Sequence, residues 1–196
     1  MLRTREPITL RALVAETGMS TMAVYTHFGG MDGLWKALRQ EGFTRLEARF
    51  AALPISTDPV QDLTALVAAY LRHALDHPDL YRVMFDASFD LEDLRAADAT
   101  LEYLVGAVRR AKDADRFRAD IDPLELATQS WATGHGLVSL VANGPLPVRT
   151  LTYGVPMLTA LFTSTGDNPG RCRLSVENGW QQLHLSVGKP GRAGQI

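Results

Sequence analysis

Apolar residues recur at three- and four-residue steps along almost the whole of this 196-residue chain, and proline or glycine interrupts them at intervals. This spacing places the apolar side chains on one face of an α-helix. Asp58-Pro59 and Asp122-Pro123 each give the pattern of an N-cap followed by a first-turn proline. The sequence therefore predicts an all-α protein, with helices starting at these pairs and breaking at Gly29–Gly30, Pro54 and His77-Pro78.

The segment before the C-terminal tail predicts one last helix, from about Val148 to Phe162. Pro156 lies inside it and predicts a kink, because proline removes a backbone hydrogen bond. The apolar stripe of this helix consists of Leu151, Val155, Leu158 and Phe162.

The helical spacing gives way to alternation in the stretch CRLSVENGWQQLHLSV. An Asn-Gly pair between alternating segments is a strong hairpin signal. We therefore predict a β-hairpin in the tail, residues 166–196, with Asn178-Gly179 as its turn. The facing pairs would be Val176 with Gln181, Leu174 with Leu183, and Cys172 with Leu185.

Composition excludes several classes of protein. Apolar residues make up 46% of the chain and charged residues 21%, which suits a globular core. Cys172 is the single cysteine, so a secreted scaffold held by internal disulfides is excluded. The stretch MLRTREPITL has no apolar signal core, and no later run is long and apolar enough to cross a bilayer. We expect a cytoplasmic protein without a membrane partner.

Charge is distributed unevenly along the chain. Residues 1–50 carry seven lysines and arginines against five acids, whereas residues 51–165 carry nine against fifteen. A mildly basic front allows an anionic partner there without demanding one.

The stretch TLRALVAETGMSTMAVYTHF predicts two short helices joined at Gly18, with Thr9 and Ser20 as N-caps. Two short helices and a tight turn make a helix-turn-helix pattern, whose second helix can enter the major groove of DNA. Any helical hairpin with a polar face fits the same spacing. If Val24 and Phe28 pack beneath the second helix, the outward residues are Ser20, Thr21, Met22, Tyr25, Thr26 and His27.

The longer stretch ITLRALVAETGMSTMAVYTHFGGMDGLWKAL resembles the DNA-binding region of the TetR family of transcriptional regulators. The matching residues are Thr9, Gly18, Ser20, Tyr25, His27, Phe28 and Leu34. The resemblance implies that Thr9 contacts phosphate, that Thr21 and Met22 face bases, and that Tyr25 and His27 bond phosphates.

The chain departs from the family in two places. Met31 stands where the family usually has a phosphate-binding lysine. The first base downstream is Lys36, which we include among the predicted DNA contacts. Only eight residues precede Thr9, too few for the helix that normally supports the motif. We expect either a start upstream of Met1 or impaired DNA binding.

A second resemblance lies in SWATGHGLVSL, where Trp131, His135 and Gly136 match a tryptophan–x–x–x–histidine–glycine motif of one TetR subgroup. The family implies an incomplete DNA-binding domain over residues 1–45 and an effector and dimer domain over residues 46–165. Its partners would be operator DNA, a second copy and a small effector that releases a repressor from DNA. The stripe of the last predicted helix would form the dimer interface.

An effector pocket between the central helices would draw on Tyr70, Met84, Phe85, Tyr103, Trp131 and His135. These residues fit equally well in a packed core in which their few polar atoms are hydrogen-bonded.

The spacing of His73 and His77 lets both reach one metal, but a solvated or helix-end pair is the favoured interpretation. No phosphate-binding glycine loop or nucleophile–base pair is evident. We therefore predict no catalytic residues, no metal and no cofactor, and keep two alternatives: a dimeric ligand-binding protein with impaired DNA binding, and, more remotely, a small helical metal protein or enzyme.

Overall fold

The computed structural model describes residues 15, 20–85, 95–142 and 144–183, and this part of the chain contains helices and no strand. The prediction of an all-α protein is confirmed. The helices are α1 (Thr21–Phe28), α2 (Met31–Ala51), α3 (Pro59–Asp76), α4 (Pro78–Met84), α5 (Arg95–Asp113), α6 (Pro123–Ala142), α7 (Gly154–Ser164) and α8 (Pro169–Trp180), with 3-10 helices at Val148–Tyr153 and Gln181–Leu183.

Side-chain caps fix the starts of several helices. The Ser20 hydroxyl accepts from the amide of Ala23 at 3.2 Å, at the start of α1. The Asp58 carboxylate accepts from the first amides of α3, and the Asn168 side chain does the same for α8. Proline follows both Asp58 and Asn168 at the first helical position, where its missing amide costs nothing.

Helix α3 lies at the centre of the fold. It packs against α2, α4, α5, α6 and α8, and most of its side chains are buried. One large apolar core forms around it, and Val24 and Leu34 form a second, small cluster between α1 and α2. Helix α2 belongs to both clusters and runs without a break through residue 45, where the sequence places a domain boundary.

The predicted C-terminal hairpin is wrong, because its first strand and its turn lie in helix α8. The buried residues of this segment follow helical spacing rather than alternation, and Leu174 is 58% exposed. The helical stripe was hidden because two of its members, Ser175 and Gly179, are not apolar. Its buried members are Cys172, Ser175, Val176, Gly179, Trp180 and Leu183. Leu185 lies outside the described residues.

The single helix predicted over residues 148–162 is divided into a 3-10 helix and α7. This division places Pro156 in the first turn of α7, where its ring displaces no intrahelical hydrogen bond. The predicted kink is therefore a change of helix type at Gly154.

The predicted dimer stripe is also corrected. Leu151, Leu158 and Phe162 are fully buried in the core of their own chain, and Val155 is half-buried. This apolar stripe packs inside its own chain, against α8 and neighbouring helices, and is not available to a second copy.

A buried ion cluster joins three segments that are distant in the sequence. The Arg116 guanidinium donates to both carboxylate oxygens of Asp167 at 2.7 Å and to the Asp58 carboxylate at 2.7 Å. Ser175 on α8 donates to the same Asp58 at 2.6 Å. Arg116 therefore ties the start of α3 to the turn between α7 and α8.

Candidate functional site

Helix α1 presents a face made of hydroxyl, thioether and imidazole groups. Met22 is 68% exposed and Tyr25 55% exposed, while Thr26 and His27 are also exposed and Thr21 is half-buried. Residues 20–28 contain no acidic side chain, so nothing on this face repels a phosphate.

Hydrogen bonds restrict two of the predicted DNA contacts. Ser20 uses its hydroxyl oxygen to cap α1, and Thr26 donates its hydroxyl proton to the carbonyl of Met22 at 2.9 Å. Ser20 retains its hydroxyl proton and one lone pair, so it can still donate to a phosphate, whereas Thr26 retains only acceptor sites. Lys36 is half-buried on α2, and Thr9 lies outside the described residues.

Two glycines fix the turn between α1 and α2. Gly29 and Gly30 have φ angles of +71° and +127°, which other residues rarely adopt. A side chain at Gly33 would overlap the carbonyl oxygen of Phe28. The break predicted at Gly29–Gly30 is confirmed, and α1 leaves α2 at a fixed angle.

Phe28 is not the buried residue that the sequence suggested. It is 36% exposed, and its ring meets His27 edge to face at 6.3 Å between centroids. Val24, 4% exposed, packs with Leu34 instead. Among the described residues, Val24 is thus the contact that holds α1 on α2.

A cavity of about 300 Å³ lies among α2, α3, α5 and α6. Helix α2 contributes four side chains to it at helical spacing, from Arg39 to Phe50. The described lining residues are Arg39, Phe43, Leu46, Phe50, Leu66, Val67, Tyr70, Phe85, Ala97, Asp98, Thr100, Leu101, Leu104 and Trp131.

Three of the six residues predicted for a pocket line this cavity: Tyr70, Phe85 and Trp131. Met84 is fully buried in the core, and Tyr103 packs edge to face on Phe50 at 5.8 Å. The contribution of α2 was missed. Its stripe of Leu46 and Phe50 was visible in the sequence, but nothing there indicated that the stripe faces a space.

His135 lies behind the cavity wall in a polar cluster. Its Nδ1 lies 2.7 Å from the Tyr70 hydroxyl and 2.8 Å from the Tyr81 hydroxyl, which in turn lies 3.0 Å from the Ser139 hydroxyl. Burial lowers the pKa of His135 and raises the pKa values of both tyrosines. The cluster therefore stays uncharged at neutral pH and joins α3, α4 and α6.

His73 and His77 lie one turn apart at the end of α3, with their ring centroids 5.3 Å apart. His73 is buried, so the solvated interpretation is wrong for it, while His77 caps the end of α3. Among the described residues, no three histidine, cysteine or acidic side chains are grouped to hold a metal. Burial, followed by the nearby His77 and Arg49, lowers the pKa of His73 to about 4.

Acid should destabilise the fold through His73. The folded pKa of about 4 is below the ordinary 6.5, so the unfolded chain binds the proton first and stability falls as pH drops from 6.5 towards 4. We expect this residue to lower the free energy of unfolding by about 2 kcal/mol between pH 7 and pH 5. Urea titrations of the wild type and His73→Leu at both pH values measure it.

Leucine replaces the imidazole with a similar apolar volume, and the Nε2 of His73 has no described partner to lose. The variant should therefore keep its stability at pH 7 and lose about 2 kcal/mol less than the wild type at pH 5. Equal losses in the two proteins would contradict the assignment to His73.

None of the helices in the described part of the chain is long and apolar enough to cross a membrane.

Solved structures with a similar fold include transcriptional regulators. The TetR family regulator PfmR from Thermus thermophilus aligns with a TM-score of 0.66 at 17% identity, over 80% of this chain and 88% of that one. A tetR-family regulatory protein from Rhodococcus RHA1 aligns with a TM-score of 0.67 at 18% identity, over 82% and 87%. A protein of unknown function from Rhodococcus sp. RHA1 aligns with a TM-score of 0.66 at 25% identity, over 82% and 86%.

Comparison with protein-family models gives a likeness to the same kind of regulator. No curated protein matches the chain. Residues 63–155 match the tetracyclin repressor-like C-terminal domain family, and this range contains the cavity wall from Leu66 to Trp131 and the His135 cluster. The match and the fold agree in showing that this chain is similar to TetR-like transcriptional regulators.

Proposed function

We propose that the chain binds operator DNA through α1 and represses transcription until a small effector occupies the cavity. One observation carries the proposal: α2 holds α1 with Leu34 near one end and lines the cavity with Phe43, Leu46 and Phe50 near the other. A ligand that moves the second half of α2 therefore also moves the helix that would enter the major groove.

Release would follow from differential binding. An effector that binds more tightly to the conformation whose α1 helices do not fit the DNA shifts the population towards that conformation. The outward residues of α1 would then serve DNA as the family resemblance implies: Thr21 and Met22 towards bases, Tyr25 and His27 towards phosphates.

A homodimer would space two copies of α1 for successive major grooves. We place its interface on the outer face of α6, where exposed residues recur every fourth position, and on Met157 of α7. Gly136 lies inside α6 with open space where a Cβ would stand, although an exposed helical glycine costs about 1 kcal/mol relative to alanine. Close approach of a second helix would explain it. The α6 residues are Leu124, Thr128, Ala132, Gly136 and Leu140.

The Trp131–His135–Gly136 motif gains a physical role under this proposal. Trp131 lines the cavity, His135 bonds the tyrosines of α3 and α4, and Gly136 lies on the outer face. The motif thus connects the effector cavity to the dimer surface across one helix, which supports membership of the subgroup that carries it.

Removing the Tyr25 hydroxyl should weaken DNA binding about tenfold or more, because a hydrogen bond to a charged group contributes about 1.5–3 kcal/mol. The measurement is the fluorescence anisotropy of a labelled duplex from the DNA flanking the chain's own gene, titrated with wild type and Tyr25→Phe. Because a phosphate contact carries no sequence information, an unrelated duplex should lose affinity by the same factor.

Tyr153→Phe is the matched control, since Tyr153 is 61% exposed and lies at the start of α7, far along the chain from α1. Equal affinities for Tyr25→Phe and the wild type would remove Tyr25 from the interface. If the wild type binds neither duplex, the alternative of a ligand-binding protein without useful DNA affinity replaces the repressor.

A charged side chain at Gly136 should abolish the dimer. Gly136→Arg would bury a guanidinium between two α6 helices, so we expect a monomer at micromolar concentrations by analytical ultracentrifugation. Ala48→Arg, on the exposed face of α2, is the control that keeps the wild-type mass. A dimeric Gly136→Arg would show that α6 does not form the interface.

A further inference from the structure

Aromatic rings form a braced wall around the cavity. Phe85 meets Phe43, Tyr70 and Trp131 at centroid distances of 5.9, 6.2 and 6.1 Å. Such edge-to-face and tilted contacts hold each ring in place. The space beside them is therefore formed in advance rather than opened by a ligand.

The volume of the cavity sets the size of its ligand. An apolar protein cavity of about 150 Å³ binds one benzene molecule. At about 300 Å³, this cavity holds two such rings. Its aromatic and aliphatic walls favour flat apolar surfaces over a hydrated polar body.

Charge on the lining argues against an ionised ligand. Arg39 and Asp98 are the charged side chains among the described lining residues, one of each sign. The Arg39 Nε already donates to the Met84 carbonyl at 2.9 Å, and Asp98 lies exposed. An ionised group of either sign would leave water for a wall made mostly of carbon atoms, and there it would meet one attracting and one repelling side chain.

We propose that the cavity takes an uncharged ligand built on two flat apolar rings. The inference rests on the proposed function, since it names the chemical class of the effector. It adds that ionised molecules of the same size and shape are rejected.

Three naphthalene compounds test the charge preference. Isothermal titration calorimetry of the full chain at pH 7 uses naphthalen-2-ol as the neutral probe, naphthalene-2-sulfonate as the anion and naphthalen-2-ylmethylammonium as the cation. We expect naphthalen-2-ol to bind at least tenfold more tightly than either ion. An ion that binds as tightly as naphthalen-2-ol, or no binding of naphthalen-2-ol at all, overturns the proposal.

Two cavity-filling variants locate the binding. Ala97→Phe and Leu101→Trp each place a larger side chain in the cavity from α5, at half-buried positions that tolerate added volume. Each variant should weaken the binding of naphthalen-2-ol at least tenfold. Ala48→Phe, on the exposed face of α2, should bind naphthalen-2-ol as tightly as the wild type does. Wild-type affinity in both filled variants, with wild-type circular dichroism, would place the ligand elsewhere and overturn the proposal.

A second readout separates this inference from the proposed function. The operator duplex titration is repeated with saturating naphthalen-2-ol. If the probe binds in the cavity and duplex affinity does not change, the ligand class stands and the effector role fails. If a charged compound alone fills the cavity and releases the duplex, the effector role stands and the ligand class is wrong.

Discussion

Replacing Arg116 with methionine should lower the free energy of unfolding by about 3–5 kcal/mol, the usual cost of removing one partner from a buried ion pair. Arg116 is 2% exposed, and the Asp167 that it holds is 5% exposed. Methionine fills part of the volume but donates nothing, so two carboxylates lose their counter-charge. Urea unfolding followed by circular dichroism at pH 7 measures the loss.

Arg173→Met is the matched control. Arg173 pairs with Glu177 one turn along α8, and both side chains are largely exposed, so the expected loss is below about 1 kcal/mol. Similar losses in the two variants would show that the Arg116 cluster contributes no more than a surface pair.

The pH dependence of Arg116→Met gives a second check. Burial acts to raise the pKa of Asp58, but hydrogen bonds from Ser175 and the Gln61 amide, together with Arg116, outweigh it and hold the pKa below its ordinary value. Stability from this group is present above the unfolded pKa and is lost as pH falls. Without Arg116 the folded pKa rises, so the deficit of the variant should shrink towards acid pH.

The position of this cluster could not be predicted from the sequence. Arg116 stands among acids close to it in the chain, but it pairs with Asp58 and Asp167, which are 58 and 51 residues away. Side-chain caps are different, because the information is local: Asp58-Pro59 and Asp122-Pro123 marked the starts of α3 and α6 correctly.

Helix faces could be predicted, but what each face meets could not. The sequence predicted the apolar stripe of Leu151, Leu158 and Phe162. It also predicted a hairpin in place of α8, so no helix of the same chain was expected to cover this stripe. For the same reason, the sequence did not show that α2 lines a cavity. Whether Phe43 and Phe50 touch a neighbour or line a space depends on how far α5 lies from α2, which no residue pattern states.

The recognition helix was the most predictable part of the candidate site. Ser20, the Gly29–Gly30 break and the outward positions of Met22 and Tyr25 all follow from local chemistry. Phe28 was expected to be buried, but its burial depends on which other helices pack against α1. Among the described residues, Val24 packs against Leu34 instead.

Adding one methyl group at Gly179 should cost up to about 3 kcal/mol, as overpacking of a close-packed contact does. A Cβ there would overlap the Gln61 carbonyl oxygen and lie 2.7 Å from the Thr64 Cβ and 3.0 Å from the Ala65 nitrogen. Two of these three atoms belong to the backbone of α3 and cannot rotate away. Helix α8 must therefore move off α3 or lose its contact.

The matched control is Asn178→Ala, one residue earlier on the exposed face of α8. In a helix the change should leave the free energy of unfolding unchanged or raise it by a few tenths of a kcal/mol, because alanine has the higher helix propensity. In an Asn-Gly hairpin turn the same change would be costly, since the asparagine must adopt a positive φ. Urea unfolding of both variants thus measures the α3–α8 contact and tests the helix against the hairpin: a large loss for Gly179→Ala with none for Asn178→Ala fits only α8 packed on α3.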